Sequence, residues 1–459
     1  MVDLLILNGI IVTMDQNRQV INNGGVAVKG SKIVDVGRSI ELKKKYNANK
    51  VIDASGKAIL PGFINCHTHT NQTILKGVIY DAPYTIFGPA VSIPALADAM
   101  PEDYYASGLL TAAEMIKSGT TCVCDMVCAH SSFDNIQKNA EAIEKSGLRY
   151  DAVWGLMDSG DTPPELWRGE ESIAAARSFI KEWHEKNDGR IKVWLGQPTV
   201  FCVSLKHWNL AKQILGEFKL KYMVHIYGSI FEHISKRDTE YLHERGISGP
   251  NTVFVHCIWM SPREISLIRD TNTRVAHCPI GNSFLGYGVS PLPEMLNQGI
   301  TVGLGSDGMA SYTHDMFDTM RYAAFLQKAN YRDGTAVTAE KILEMATIDG
   351  AKVLGRENEV GSIEVGKKAD IIIIDLQKPH MHPVNRIVPT IVYTVKGNDV
   401  ETTIIDGKIV MENHELKTIQ EKSVLKLARE ACDRILEKRR KLNSLLERPW
   451  PMTSKAFWE

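Results

Sequence analysis

Leu60-Pro61-Gly62-Phe63-Ile64-Asn65-Cys66-His67-Thr68-His69 is an apolar run that ends in two histidines separated by one residue. Side chains alternate along a strand, so an extended backbone here sends His67 and His69 to one face and Thr68 to the other, a spacing that suits two imidazoles on one ion. The run Ile59 to Ile64 is the first of eight. Thr121 to Cys124, Tyr150 to Leu156, Ile191 to Leu195, Lys221 to Ile226, Thr252 to Val255, Arg274 to His277 and Ile300 to Leu304 follow it. These runs are rich in Val and Ile and mostly lack polar alternation. Amphipathic stretches such as Glu102 to Lys117, Ser172 to Trp183 and Pro262 to Asp270 lie between them. That is the pattern of parallel strands covered on both faces, and eight such units over roughly 300 residues predict an α/β chain built on a (β/α)8 TIM barrel. The rival is a doubly wound open sheet, but no GxGxxG follows any of the runs.

Outward from the barrel the texture changes. Leu4 to Leu7, Ile10 to Met14, Gly25 to Val28, Lys32 to Val36 and Lys50 to Asp53 read as short strands, punctuated by turn chemistry at Asn8-Gly9, Asn22 to Gly25 and Gly30-Ser31. The same texture returns at Ile371 to Asp375, Ile391 to Thr394, Thr402 to Ile405 and Lys408 to Met411. Neither end has enough strands to cover its own apolar face, so the two ends are expected to build one β-sandwich. The expected division is 1–58 and 356–415 for the two parts of the sandwich, 59–355 for the barrel, and 416–459 for a C-terminal helix and tail.

The composition excludes several functions. The 459 residues carry 53 Lys+Arg against 54 Asp+Glu and are 44% hydrophobic, which gives a large core and no basic face for a nucleic-acid backbone. The eight cysteines are scattered and read as reduced thiols. The N-terminal apolar stretch lacks a basic leader, and no run of eighteen apolar residues occurs. A cytoplasmic protein with no membrane partner is therefore expected.

In a parallel barrel the working residues sit where strands end and loops begin. Run one ends in His67 and His69, run five at His225, run six at His256, and run eight in Gly305-Ser306-Asp307-Gly308. One histidine after an apolar run is ordinarily a hydrogen-bonded structural residue. Histidines and a carboxylate ending several strands of one barrel form instead a cluster suited to Zn²⁺ or Fe²⁺, with a position left for water whose acidity the ion raises toward neutrality.

At this point the chain resembles the amidohydrolase superfamily, in the branch of cytosine and S-adenosylhomocysteine deaminases, guanine deaminase and the triazine hydrolases. The resemblance is carried by Leu60 to His69, Val255-His256-Cys257, Ala276-His277-Cys278-Pro279, Gly303 to Gly308, Met345-Ala346-Thr347 and Gly361 to Asp370. Asn71-Gln72, Lys341 to Ala351 and Val410 to Asn413 are most similar to atrazine chlorohydrolase and melamine deaminase. The resemblance implies one divalent metal, Zn or Fe, on His67, His69, His225 and Asp307. It also implies His256 beside the water, Asp307 as general base, and metal-bound hydroxide attacking a carbon of an N-heterocycle to displace ammonia or an amine. Run four ends Leu195-Gly196-Gln197-Pro198 without a lysine, so the carbamate bridge of binuclear relatives is not expected. The implied partners are a small heterocyclic substrate and further copies of the chain.

One position departs from the pattern. Deaminases of this branch carry HxxE after strand five, and this chain has His225-Ile226-Tyr227-Gly228. Glycine cannot move a proton. Three readings follow: a leaving group that needs little protonation, such as a halide; another acid in its place, with Glu232, Asp125 or a group of the substrate as candidates; or a metal-retaining binding protein without turnover. Gln72, Tyr84, Phe87, Gly228 and Asn282 are the candidate substrate contacts. The loop 71–101, which carries Tyr80, Tyr84 and Phe87, is long enough for a lid. His277 is expected to pack or to orient a loop, and Cys122, Cys124 and Cys128 to be core thiols.

Overall fold

The computed structural model describes residues 1–78, 80–81, 87–127, 132–159, 169–226, 237–308 and 311–439. Five strands lead the chain: β1 (Val2–Val12), β2 (Val20–Lys29), β3 (Lys32–Arg38), β4 (Ala48–Asp53) and β5 (Lys57–Pro61). Eight form the barrel: β6 (Phe63–Thr68), β7 (Thr120–Val127), β8 (Arg149–Gly155), β9 (Ile191–Gln197), β10 (Tyr222–Ile226), β11 (Thr252–His256), β12 (Arg274–His277) and β13 (Val302–Leu304). Four close the chain: β14 (Ile371–Asp375), β15 (Val400–Ile405), β16 (Lys408–Glu412) and β17 (Glu415–Leu416).

The barrel strands pair in parallel in simple chain order from β6 to β13. The ring closes through a parallel bridge between Thr68 and Asp307, where the Asp307 N–H donates to the His67 carbonyl at 3.0 Å. All eight expected runs are barrel strands, but the first is divided. Ile59 to Pro61 belong to β5 in the other sheet and the barrel begins at Phe63, with Gly62 as the hinge. A Cβ at Gly62 would overlap the Thr121 side chain, so only glycine lets the chain cross between the two sheets here.

The strands from both chain ends form one nine-stranded mixed sheet in the order β17-β16-β15-β14-β5-β1-β2-β3, with β4 beside β1. Alternation along β14 shows how it joins the barrel. Ile371 and Ile373 pack with Leu4, Ile6, Val26 and Ile59, whereas Ile372 and Ile374 enter the main core of the barrel helices. Three local expectations are corrected. Asn8-Gly9 is not a turn but an irregularity inside β1, with Asn8 at φ 67° and a register shift opposite β2. Asn22 to Gly25 likewise lies inside β2. Ile391 to Thr394 is not a strand, because Ile391 and Val392 are buried in the helix Ile387–Tyr393, whose Pro389 sits in the first turn where a missing N–H is tolerated. The C-terminal helix spans Glu421–Lys438 and buries Val424, Ala428, Ala431 and Ile435. No helix among the described residues is long and apolar enough to cross a membrane.

A buried ion cluster joins the two units. Arg149, at the first position of β8, donates Nε to Asp370 Oδ2 at 2.9 Å and Nη2 to Asp406 Oδ1 at 2.8 Å. Asp370 immediately precedes β14 and Asp406 immediately follows β15 in the outer sheet, and Arg149 is wholly buried. Removing one member of a buried set leaves an uncompensated charge. Arg149→Met is expected to lower the unfolding free energy by about 3–5 kcal/mol in urea titration; a loss below about 1 kcal/mol would show the cluster to be dispensable.

Candidate metal centre

The ends of β6, β10, β11 and β13 deliver five side chains to one buried point. The ring centroids of His67 and His69 are 4.7 Å apart, those of His67 and His225 4.8 Å, and those of His225 and His256 5.2 Å. Two overlapping groups share His67. In His67, His225 and His256, and again in His67, His69 and Asp307, one ligand atom from each residue lies within 4.8 Å of the others. His67 Nε2 is 3.6 Å and His69 Nε2 3.7 Å from Asp307 Oδ1.

Each imidazole is oriented by a hydrogen bond at its far nitrogen. His69 Nδ1 lies 2.7 Å from the Met126 carbonyl, His225 Nδ1 2.9 Å from the Pro198 carbonyl, His67 Nδ1 3.3 Å from Met223 Sδ, and His256 Nδ1 2.8 Å from Asn282 Oδ1. Carbonyl, thioether and amide oxygens or sulfurs accept, so the protons sit on Nδ1 and the Nε2 lone pairs face the centre. His67 Nε2 and His225 Nε2 are then 3.1 Å apart with no proton between them. Burial pushes the His67 imidazole down to about 4 and His225 well below the ordinary range, so protonation does not relieve the crowding at neutral pH. Burial works against the Asp307 carboxylate too, yet the pull of His67, His256 and His69, exerted when one of them carries a proton, outweighs it and holds the pKa well below the usual range. Neutral imidazoles and an ionised carboxylate, all nitrogen and oxygen donors, fit a borderline divalent cation.

The backbone is bent to achieve this. His256 and Cys257 have φ of 75° and 47°, and Asp307 has φ of 63°. Non-glycine residues occupy this region at a cost of roughly 1–3 kcal/mol each and concentrate at working sites. At β11 the bend departs from strand alternation immediately after Val255. At β13 it brings the Asp307 carboxylate against Gly281, where a Cβ would overlap Oδ2.

The other candidate residues divide. Asn282 is buried and touches His256. Gln72 follows His67 and His69 in the 3-10 turn Thr70–Leu75 and packs against Gly308, where a Cβ would overlap its Oε1. Tyr84, Gly228 and the side chain of Phe87 lie outside the described residues, as do Glu232 and Cys128. Tyr80, from the same loop as Tyr84, stacks edge-on against Phe284 at 5.3 Å, two residues beyond Asn282. Asp125 is no spare acid. Its two oxygens accept from the Thr70 N–H and hydroxyl, Asn139 and Tyr150, which makes it an anchor behind His69. Cys122 and Cys124 are fully buried among Ile64, Met126 and Trp194, and burial raises their thiols. His277 belongs to neither ligand group, and both its ring nitrogens lack a hydrogen-bond partner among the described residues.

The amidohydrolase family matches residues 58–410. The 5'-deoxyadenosine deaminase of Methanosarcina acetivorans is 35% identical over 446 residues, covering 95% of this chain and 99% of its own. The 5-methylthioadenosine/S-adenosylhomocysteine deaminase of Acetivibrio thermocellus is 33% identical over 443 residues, covering 95% and 100%. Among solved structures, an adenosine deaminase from Xanthomonas campestris with bound zinc superposes with a TM-score of 0.89 at 26% identity, covering 95% of this chain and 99% of its own. Atrazine chlorohydrolase from Arthrobacter aurescens complexed with zinc reaches 0.86 at 21% identity, covering 94% and 100%, a likeness of fold.

Histidines with lowered pKa stay neutral in the fold but gain protons in the unfolded chain, which binds them near the ordinary value of 6.5. Chelator-treated protein should therefore be progressively less stable from about pH 7 to about pH 4.5, by roughly 1.4 kcal/mol per pH unit for each such histidine. A flat profile in denaturant titrations across that interval would contradict neutral, buried imidazoles.

Proposed function

Since this chain belongs to the amidohydrolase family, we propose that it is a metal-dependent hydrolase of carbon–nitrogen bonds that removes the exocyclic amino group from a purine nucleoside of the adenosine type. The convergence of His67, His69, His225, His256 and Asp307 carries this reading. The substrate class is supported by the full-length relatives, whose names specify 5'-deoxyadenosine, 5-methylthioadenosine and S-adenosylhomocysteine.

One divalent ion, with zinc supported by its presence in related structures, would be held by His67, His69, His225 and Asp307. Bound there, the ion would lower the pKa of water toward neutrality and polarise the ring edge. The reaction exchanges an amino group for a carbonyl oxygen, so both protons of the attacking water must leave it, one for the ring nitrogen and one for the departing amine. Asp307, ionised and beside His67 and His69, takes the first, a general-base role. His256 supports the second. Its Nδ1–H is fixed on Asn282, leaving Nε2 free to take up a proton and pass it to the amine. In this chain His256 would do the work of the glutamate that relatives carry at the position of Gly228. The glycine also favours a second reading, displacement of a weakly basic group such as halide, which needs no acid.

Both readings are separated by incubating zinc-loaded protein with adenosine, 5'-deoxyadenosine, 5'-methylthioadenosine, S-adenosylhomocysteine and 6-chloropurine riboside, following ammonia and chloride. Ammonia from the amino nucleosides is expected, and Asp307→Asn should lower kcat by about 10²- to 10⁴-fold. Chloride without ammonia would replace the proposal with the second reading, and neither product from a metal-loaded protein would leave a binding protein.

A further inference from the structure

Behind the metal centre lies a fully buried histidine that belongs to neither ligand group. His314 follows β13 by ten residues, and its two ring nitrogens join the two stretches of chain that supply His67, His69 and Asp307. Nδ1 is 3.0 Å from the Ser306 hydroxyl, and Nε2 is 3.0 Å from the Thr73 hydroxyl in the turn after β6. Ser306 immediately precedes Asp307, and its hydroxyl also accepts from Asn65 Nδ2 at 2.7 Å. Asn65 Oδ1 receives the Ser306 N–H at 3.0 Å. Thr68 completes the bridge by donating its hydroxyl to the Asp307 carbonyl at 2.8 Å. His314 is itself pinned, because its backbone N–H donates to Glu114 Oε1 at 2.8 Å while Glu114 Oε2 pairs with Lys76 Nζ at 2.7 Å. Thr73 is held from the other side by the Thr111 hydroxyl at 2.6 Å.

This arrangement answers a mechanical need. Asp307 sits in the left-handed region at the open end of a three-residue strand, the shortest in the barrel sheet, so β13 alone does little to hold it. A neutral imidazole offers one donor and one acceptor at fixed separation on opposite sides of a rigid ring, and so spans Ser306 and Thr73 with no slack.

We propose that His314 is a positioning residue of the metal centre, bridging Ser306 to Thr73 so that the Asp307 carboxylate is held at a fixed distance from His67 and His69. The inference rests on the functional reading above. Outer partners that fix ligand orientation typically contribute about 10- to 100-fold to metal affinity or activity, and small misplacements of reacting groups cost rate more than binding.

The test compares wild type, His314→Leu and His314→Gln, measuring zinc affinity by chelator competition, the visible spectrum of cobalt-loaded protein, and kcat and KM separately. Leucine is expected to weaken zinc binding about 10- to 100-fold, to shift the cobalt bands, and to lower kcat with KM little changed. Glutamine, which keeps one donor and one acceptor, should recover most of each. If the leucine variant does not fold, Thr73→Val removes the far end of the bridge, and the same weakening is expected. Wild-type zinc affinity and cobalt spectrum in the leucine variant, or in Thr73→Val in its stead, would overturn the inference even if the melting temperature fell. Wild-type protein that takes up no zinc would overturn the functional reading and this inference with it. Zinc uptake unaffected by the substitutions would overturn this inference alone.

Discussion

Several lone pairs are forced to face one another at one buried point of the barrel. His67 Nε2 and His225 Nε2 approach to 3.1 Å because each ring is turned by an acceptor at its opposite nitrogen, and Asp307 Oδ1 lies 3.6 Å from the first of them. In such surroundings protonation is expensive, and unpaired lone pairs are costly as well. A divalent cation resolves both difficulties at once. The barrel also closes at this point, since the hydrogen bond that joins β13 back to β6 runs from the Asp307 N–H to the His67 carbonyl. Ring closure and the convergence of these side chains thus meet at one hydrogen bond.

The cost of this geometry appears in the backbone. His256, Cys257 and Asp307 occupy left-handed conformations that side chains other than glycine avoid. Parallel strands covered by helices are rigid enough to sustain such bends, and glycine appears where the bent chain presses on a neighbour, as at Gly281 against Asp307 and Gly308 against Gln72. The outer sheet stands away from the chemistry. Its junction through Arg149, Asp370 and Asp406 lies where β8 begins, whereas the converging side chains stand where strands end, so stability and reactivity occupy opposite faces of the barrel.

Much of this was legible in the amino-acid order because burial and strand ends leave local marks. A strand covered on both faces must be apolar throughout, which made eight runs visible, and a polar residue at the end of such a run stands out against it. Where an element's fate depends on distant chain, the local pattern misled. The run Ile59 to Ile64 looks continuous, yet Thr121 leaves no room for a Cβ at Gly62 and the run serves two sheets. Ile391 and Val392 have strand-like side chains but fall on the buried stripe of a helix. Asn282, legible only as a loop residue or a substrate contact, is the acceptor that orients His256. His314 left no signal at all, because its partners Thr73 and Ser306 are separated from each other by more than half the chain.

X-ray absorption at the zinc edge of zinc-loaded protein reads the converging side chains as neighbours of the ion. Nitrogen and oxygen neighbours at about 2.0–2.2 Å and the outer-shell scattering of several imidazole rings are expected. Sulfur scattering at about 2.3 Å, or zinc without imidazole neighbours, would contradict that convergence on the ion.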